Sequence, residues 1–569
     1  MRTERTERLS IGLVLVLAAL LRGWGLGFGA PFLSNFYVRP DESLIVQAAA
    51  GFFAHRGHPG FFAYPSLLVE CCAVVYALLL KPWTDFASNP TAYFLAARAI
   101  SLAAGTLTVL LVYRMARRLC PRGWALAAAA AYAVSPLAVR EAHFGVTDTL
   151  MTSLVAACLL QAMRCREAPE SGRRRAVLAA AAWFGLALAT KYTAALAAPG
   201  LLWVILRGNA FAVSRRLLAE MALAAATAGA VFVVLNPYVF LAHGESSGTV
   251  VSILSAFYRG AAGASPWDAA RAAEMLLRPL FYGPGSWAGL VAAAAAVVGV
   301  VRRRPGCGGA AVVLLGTAPL VGALIPFRHP VPFRYLLPAL PGVAVLAAWT
   351  AARLAARLAN LKAAQRLLYG AVAVLLAWQL AGAGALVAAL AREDTRTLAG
   401  RWIERNVPRE APVVLLGPPE SEPQVRESAA SIQRRIAYVY RLYGPSSGRI
   451  VSELYRLLLA GAGAGQGREV FRNPSDVEAP AGLVAVVTPS YPLPMIGDAH
   501  DDALARGARV VARATFDPFL GSGGAAACFD PIDAFFLPMN PWGRVARPGP
   551  KLAIVVLDRG PRLPATTGR

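Results

Sequence analysis

The sequence predicts a mainly α-helical, polytopic membrane protein with a C-terminal α/β domain outside the membrane, on three observations. The chain of 569 residues is 57% hydrophobic and only 15% charged, too apolar for a soluble protein of this size. Apolar runs long enough to match the hydrocarbon thickness recur through residues 9–390 and then stop. Basic residues gather in short loops that alternate with longer, less basic ones.

The charge pattern settles what the net charge of +24 means. In a soluble chain it would suggest nucleic acid. Here the positive groups fall at Arg2, Arg5 and Arg8, at Arg114, Arg117, Arg118 and Arg122, at Arg164, Arg166 and Arg173 to Arg175, at Arg207, Arg215 and Arg216, at Arg302 to Arg304, and at Arg353, Arg357, Lys362 and Arg366. Short loops of that kind face the cytoplasm. The expectation is a multi-pass protein of the cytoplasmic (inner) membrane, surrounded by membrane lipids and with no nucleic-acid partner.

Spans fitted to these signals are 10–29, 98–116, 123–139, 148–164, 177–190, 193–207, 217–240, 284–301, 309–326, 335–352 and 367–390, about eleven in all. From a cytoplasmic N-terminus, an odd number places the C-terminal region outside. The first segment could pass for a signal peptide, but Arg22 interrupts it, and a retained first helix is expected. Residues 64–83 are apolar yet carry Glu70; counting them as a crossing would invert every later loop, so they are read as juxtamembrane or re-entrant. The division expected is residues 1–391 as a transmembrane catalytic domain and residues 392–569 as an extracytoplasmic α/β domain. In the latter, helical stretches at 395–405 and 450–459 mix with strand-like runs at 412–416, 483–487, 509–516 and 552–557. Of the seven cysteines only Cys528 lies there, so no disulfide framework is expected.

Chemistry concentrates in the outer loops. Tyr37-Val38-Arg39-Pro40-Asp41-Glu42 opens a helical pattern read as lying on the membrane surface, with Asp41 as its N-cap or, alternatively, as a general base for an acceptor hydroxyl. Asp148 opens a span beside Arg140, Glu141 and His143; it is either an interfacial cap or part of a site, because a carboxylate in lipid is costly. Lys191 interrupts apolar sequence in ATKYT and either snorkels to the interface or meets a phosphate. Arg328, His329, Arg334 and Tyr335 share another outer loop, where arginine can grip phosphate with two bonds. The six histidines show no metal-ligand spacing, and no P-loop, dinucleotide fingerprint or nucleophile elbow is present. No cofactor is assigned; a divalent cation is the one left open.

Together these segments resemble the GT-C superfamily of membrane glycosyltransferases, in the group of protein O-mannosyltransferases and aminoarabinose transferases. Asp41-Glu42 is similar to the acidic motif of the family's first outer loop. ARAISLAAGTLTVLLVYRMARRL, SPLAVREAHFGVTDTLMTSLVAA, LALATKYTAAL and RYLLPALP follow in the family's order, and DTRTLAGRWIERNVP and FDPIDAFFLPMNPWGRVARPGPKLAIVVL resemble the ends of a bacterial outer domain. The resemblance implies transfer of a sugar from a polyprenyl-phosphate carrier to a protein, lipid or glycan acceptor, with inversion. It implies Asp41 as base with Glu42 and Asp148 in the catalytic set, Lys191, Arg334, Arg98 and Arg39 on the donor phosphate, and His143, Tyr335 and Tyr64 on substrate. Tyr64-Pro65-Ser66 departs from the pattern, since aminoarabinose-transferring members carry a lysine there. The competing reading is a lipid-linked sugar flippase or transporter, against which stand the long outer domain and the lack of an internal repeat.

Overall fold

The computed structural model describes residues 2–249, 251, 308–325, 332–461, 467–472, 482–491, 508–521, 530, 536, 537, 539, 544–558 and 560. The predicted span 284–301, the loop residues Arg302 to Arg304, Arg328 and His329, and Cys528 lie outside them. The chain forms two compact units, the first of Met1–Trp24, Phe61–Cys71 and Ala97–Val387, the second of Gly25–Gly60, Cys72–Ala96 and Ala388–Arg569.

The first unit is helical. Among the described residues, four helical segments are long and apolar enough to cross a membrane: Pro90–Ala116, Arg215–Leu235, Phe333–Arg357 and Lys362–Asn406. That corrects the expected count of about eleven. Most of the other predicted spans are helical but fall short for physical reasons. Arg2–Gly23 spends its first turns on Arg2, Glu4, Arg5, Glu7 and Arg8. Glu170–Leu188 begins with Glu170, Arg173, Arg174 and Arg175. The run predicted as 123–139 is broken by Ser135-Pro136 into Arg122–Ala133 and Pro136–Glu141, because proline takes the first position of a new helix. Residues 64–83 contain a short helix, Leu67–Val75, that widens into a π-turn at Tyr76–Leu80.

Thr147–Glu167 is the central helix of this unit. It is buried along nearly its whole length and packs against Glu170–Leu188, Ala198–Gly208 and the 3-10 turn Phe333–Ala339. Asp148 in its first turn and Arg164 and Arg166 in its last complement the helix dipole.

In the second unit, β1 (Val413–Leu415), β2 (Val470–Phe471), β3 (Leu483–Ser490), β4 (Arg509–Phe516) and β5 (Lys551–Asp558) form one sheet in the order β2-β1-β3-β5-β4. The β1 strand is parallel to β2 and β3, whereas β5 is antiparallel to β3 and β4. Alternation along the strands sorts the two faces. Ala485, Val487, Leu552, Ile554 and Val556 pack with Ala399 and Ile403 of the Thr395–Asn406 helix, and Val484, Val486 and Leu557 line the other face. A Cβ on Gly400 would stand 2.0 Å from the Gln424 carbonyl oxygen, so the helix approaches that strand-linking segment as only glycine permits.

The sequence anticipates β1, β3, β4, β5 and the Thr395–Asn406 helix. It misses β2, which has two residues, and the long helix Ala429–Val451, in which Gly444-Pro445-Ser446 reads as a turn.

The second unit also contains residues 25–60, the stretch expected to form the first outer loop. Leu33 N donates to Gln424 Oε1 at 3.0 Å, Gln424 Nε2 to Asn35 O at 2.9 Å, and Asn35 Nδ2 to Glu422 O at 2.6 Å. The helix Pro40–Gly51 is buried on most sides and touches Ala429–Val451 and Glu453–Ala460. Protein thus covers most of the helix that the sequence reading laid on the membrane surface.

Candidate functional site

In the first unit the chain breaks its helices where chemistry would need side chains to converge. Lys191 sits between Glu170–Leu188 and the 3-10 turn Tyr192–Ala197, in extended backbone with φ −157° and ψ 131°. The extended residue turns its ammonium away from the helical path. Arg334 and Tyr335 lie on the 3-10 turn Phe333–Ala339, which follows Pro332. Asp148 stands in the first turn of Thr147–Glu167, and its side chain caps no backbone N–H.

The carboxylate of Asp148 is used by cations. Lys191 Nζ donates to its Oδ1 at 2.7 Å, and Arg334 Nε stands 3.8 Å from its Oδ2. All three residues are buried. The Lys191 ammonium also lies 5.4 Å from the Tyr64 ring centre and 5.2 Å from that of Tyr335, and the Arg334 guanidinium 5.8 Å from the Tyr335 ring. Two cations thus meet one carboxylate beside two aromatic rings. Desolvating charges costs several kcal/mol per ion, about what a hydrogen-bonded pair returns. Such a cluster therefore points to function more than to stability.

Ser66, from the departure Tyr64-Pro65-Ser66, and Asn236, which sequence reasoning did not single out, brace the corner beside Tyr64. Ser66 N donates to Asn236 Oδ1 at 2.6 Å, and Ser66 Oγ lies 3.0 Å from the same oxygen and donates to Glu70 Oε1 at 2.9 Å. The Asn236-Pro237 pair that stops the Arg215–Leu235 helix was the available signal.

Two other predicted residues in this unit are sealed inside it. His143 is fully buried, with Nδ1 2.8 Å from Val139 O and Nε2 3.0 Å from Trp24 O, so backbone carbonyls occupy both ring nitrogens. Arg98 is fully buried in the Pro90–Ala116 helix.

The acidic motif lies in the second unit. Arg39, not Asp41, is the N-cap of Pro40–Gly51; Pro40 follows it, and Asp41 and Glu42 occupy the first turn. Proline's fixed φ suits that first helical position. Glu42 is fully buried and Arg39 nearly so, whereas Asp41 is only half-buried. The motif presents one accessible carboxylate, not a pair. Among the described residues no group of three His, Cys, Asp or Glu could hold a metal ion.

Behind this loop the second unit holds a buried ion network absent from the sequence reading. Arg435 Nη1 donates to Glu422 Oε2 at 2.8 Å and to Glu427 Oε1 at 2.9 Å. Arg472 Nε donates to Glu422 Oε1 at 2.7 Å, and its Nη2 to Glu427 Oε1 at 2.6 Å. Burial pushes the Glu427 carboxyl up, but Arg472 and Arg435 outweigh it and bring it down to about 2. The Arg435 guanidinium also lies 5.8 Å from the Tyr37 ring, which ties the network to the loop that carries Asp41.

Residues 72–240 match the family of dolichyl-phosphate-mannose-protein mannosyltransferases. ArnT from Cupriavidus metallidurans, in a crystal structure with undecaprenyl phosphate bound, superposes over 99% of this chain and 98% of its own, at 15% identity and a TM-score of 0.50. The chain shares the fold of that transferase, and its residues 72–240 resemble the mannosyltransferase family. Two other structures align with lower TM-scores. The Archaeoglobus fulgidus oligosaccharyltransferase in its apo form matches at 12% identity and a TM-score of 0.48, over 82% of this chain and 65% of that one. The Saccharomyces cerevisiae Pmt1-Pmt2 complex bound to its sugar donor matches at 20% identity and a TM-score of 0.33, over 42% and 34%. No curated protein sequence matches. The segment matched to the mannosyltransferase family contains Asp148 and Lys191, while Asp41, Tyr64 and Arg334 fall outside it.

Proposed function

We propose that this protein is a glycosyltransferase that moves a sugar from a polyprenyl-phosphate carrier to an acceptor hydroxyl or amine on a protein, lipid or glycan, at the outer face of the cytoplasmic membrane. The observation that supports this most is the buried meeting of Lys191 and Arg334 on Asp148, with Tyr64 and Tyr335 on either side of the ammonium. In this reading Lys191 and Arg334 hold the donor phosphate, and Asp148 keeps both cations in place. Tyr64 and Tyr335 form the apolar wall, and His143 stiffens the turn behind Asp148.

The chemistry follows from the leaving group. A prenyl phosphate departs as a stable anion, so no general acid is needed, unlike glycoside hydrolysis with its paired carboxylates. The bond from the anomeric carbon to the phosphate oxygen breaks as the acceptor oxygen or nitrogen attacks from the opposite face, and the anomeric centre inverts. Asp41 takes the acceptor proton, and cations stabilise the charge that develops on the phosphate. Glu42, being buried, holds the Pro40–Gly51 helix and leaves Asp41 as the base. Residues 392–569 are assigned to the outer face, where they would meet the acceptor.

The test is transfer from radiolabelled polyprenyl-phosphate sugars by purified protein. Lys191→Gln and Arg334→Gln should each lower transfer at least about a hundredfold, the range lost when a preorganised charge partner of the transition state is removed. Full activity in both variants would overturn the reading.

A further inference from the structure

The second unit contains a basic cavity that the transfer reading does not use. It has a volume of about 280 Å³ and is lined by Arg434, Arg435 and Arg441 of the Ala429–Val451 helix, by Tyr438 of the same helix, and by Phe471 and Arg472 at the end of β2. We infer that this cavity is an oxyanion site that takes a phosphate group.

Four guanidiniums around one small space repel one another unless anions intervene. Glu422 and Glu427 answer Arg435 and Arg472, and Glu469 answers Arg434. Arg441 is exposed and has no ion-pair partner among the described residues. Arg435 is 3% exposed, and its Nη2 is buried without a hydrogen-bond partner. The cavity therefore carries a surplus cation. Phe471 steadies the rim, with the Arg434 guanidinium 4.5 Å from its ring.

The class of ligand follows from the shape. The guanidiniums come from a helix on one side and a strand end on the other, so they meet the oxygens of a tetrahedral anion in different planes, where a flat carboxylate would satisfy only one fork. The volume suits a headgroup, not a chain of sugars. A lipid headgroup and a soluble phosphate group share this chemistry.

The test is calorimetric titration of inorganic phosphate into full-length protein in phosphatidylcholine nanodiscs at fixed ionic strength. Arg441→Gln and Arg434→Gln change exposed side chains and should each weaken one binding component about tenfold, as expected for a lost charge-assisted contact. Lys191→Gln should leave that component intact. Isotherms of both arginine variants that superimpose on the parent overturn the site, and they leave the donor-site reading untouched. Repeating the titration in nanodiscs containing phosphatidic acid separates the sources: abolition of the Arg441-dependent component identifies a lipid headgroup as the occupant, and its persistence identifies a soluble phosphate group.

Discussion

The Lys191 ammonium donates to Asp148 Oδ1 at 2.7 Å, across a gap of 43 residues in sequence, and Arg334 faces the other oxygen of the same carboxylate. The pair joins an extended residue between two helices to the first turn of the central helix, so each side chain is held by backbone that has little freedom to move.

Removing one partner of this pair leaves an uncompensated buried charge, which costs about 3–5 kcal/mol. Lys191→Met and Asp148→Asn should each lower the thermal midpoint of the purified protein, and the double variant should lose less than the two losses added. Strict additivity would mean that the pair is not coupled in solution.

Asp41→Asn should reduce transfer about a hundredfold or more, the usual contribution of a positioned base, without changing insertion or the thermal midpoint. Glu42→Gln should behave in the opposite way, lowering the midpoint more than the rate, because Glu42 is buried and Asp41 is not. Rates and unfolding curves of both variants check the contrast.

Asn236→Ala removes the acceptor that both Ser66 N and Ser66 Oγ meet. A buried donor left unsatisfied costs about 1–3 kcal/mol. The corner beside Tyr64 should loosen, raising the KM for donor about tenfold with a smaller effect on kcat; an unchanged KM would separate Tyr64 from donor binding.

Glu427 should give the second unit an acid-sensitive term. Its carboxyl is lowered from 4.5 to about 2 by Arg472 and Arg435 against the opposing effect of burial. The stabilisation is therefore complete above about pH 4.5 and is lost as the pH falls towards 2. Glu427→Gln should flatten that part of the stability profile, read by near-UV circular dichroism of the intact protein. An identical acid limb in the variant would place the transition elsewhere.

Gly400→Ala should destabilise the sheet unit. The added methyl would meet the Gln424 carbonyl oxygen at 2.0 Å, a backbone atom that cannot rotate away. Since Gln424 also binds Leu33 and Asn35, limited proteolysis should show residues 25–60 opening together with the sheet.

Much of the site was legible residue by residue. A lysine inside ATKYT and an aspartate opening an apolar helix stand out because charge is expensive in lipid, and the structure places them in contact. Arg334 was legible as an arginine in a polar break between apolar runs. Asn236 and Ser66 were not, since a neutral asparagine before proline reads as a helix stop whether or not its side chain holds anything. Glu422, Glu427, Arg435 and Arg472 looked like solvated surface charge, as single charges in a polar domain usually are.

The sequence by itself determined the membrane character, the order of apolar and polar regions, four of the five strands of the sheet, and the residue types able to hold a phosphate or take a proton. Those properties are local: hydropathy, alternation and charge are written along the chain. Only the tertiary structure decided that Asp148 serves cations and not a helix cap, that Asp41 stays accessible where Glu42 does not, and that the Pro40–Gly51 helix is covered by the helices Ala429–Val451 and Glu453–Ala460. Each depends on what packs against a side chain from hundreds of residues away, and no local pattern encodes that partner.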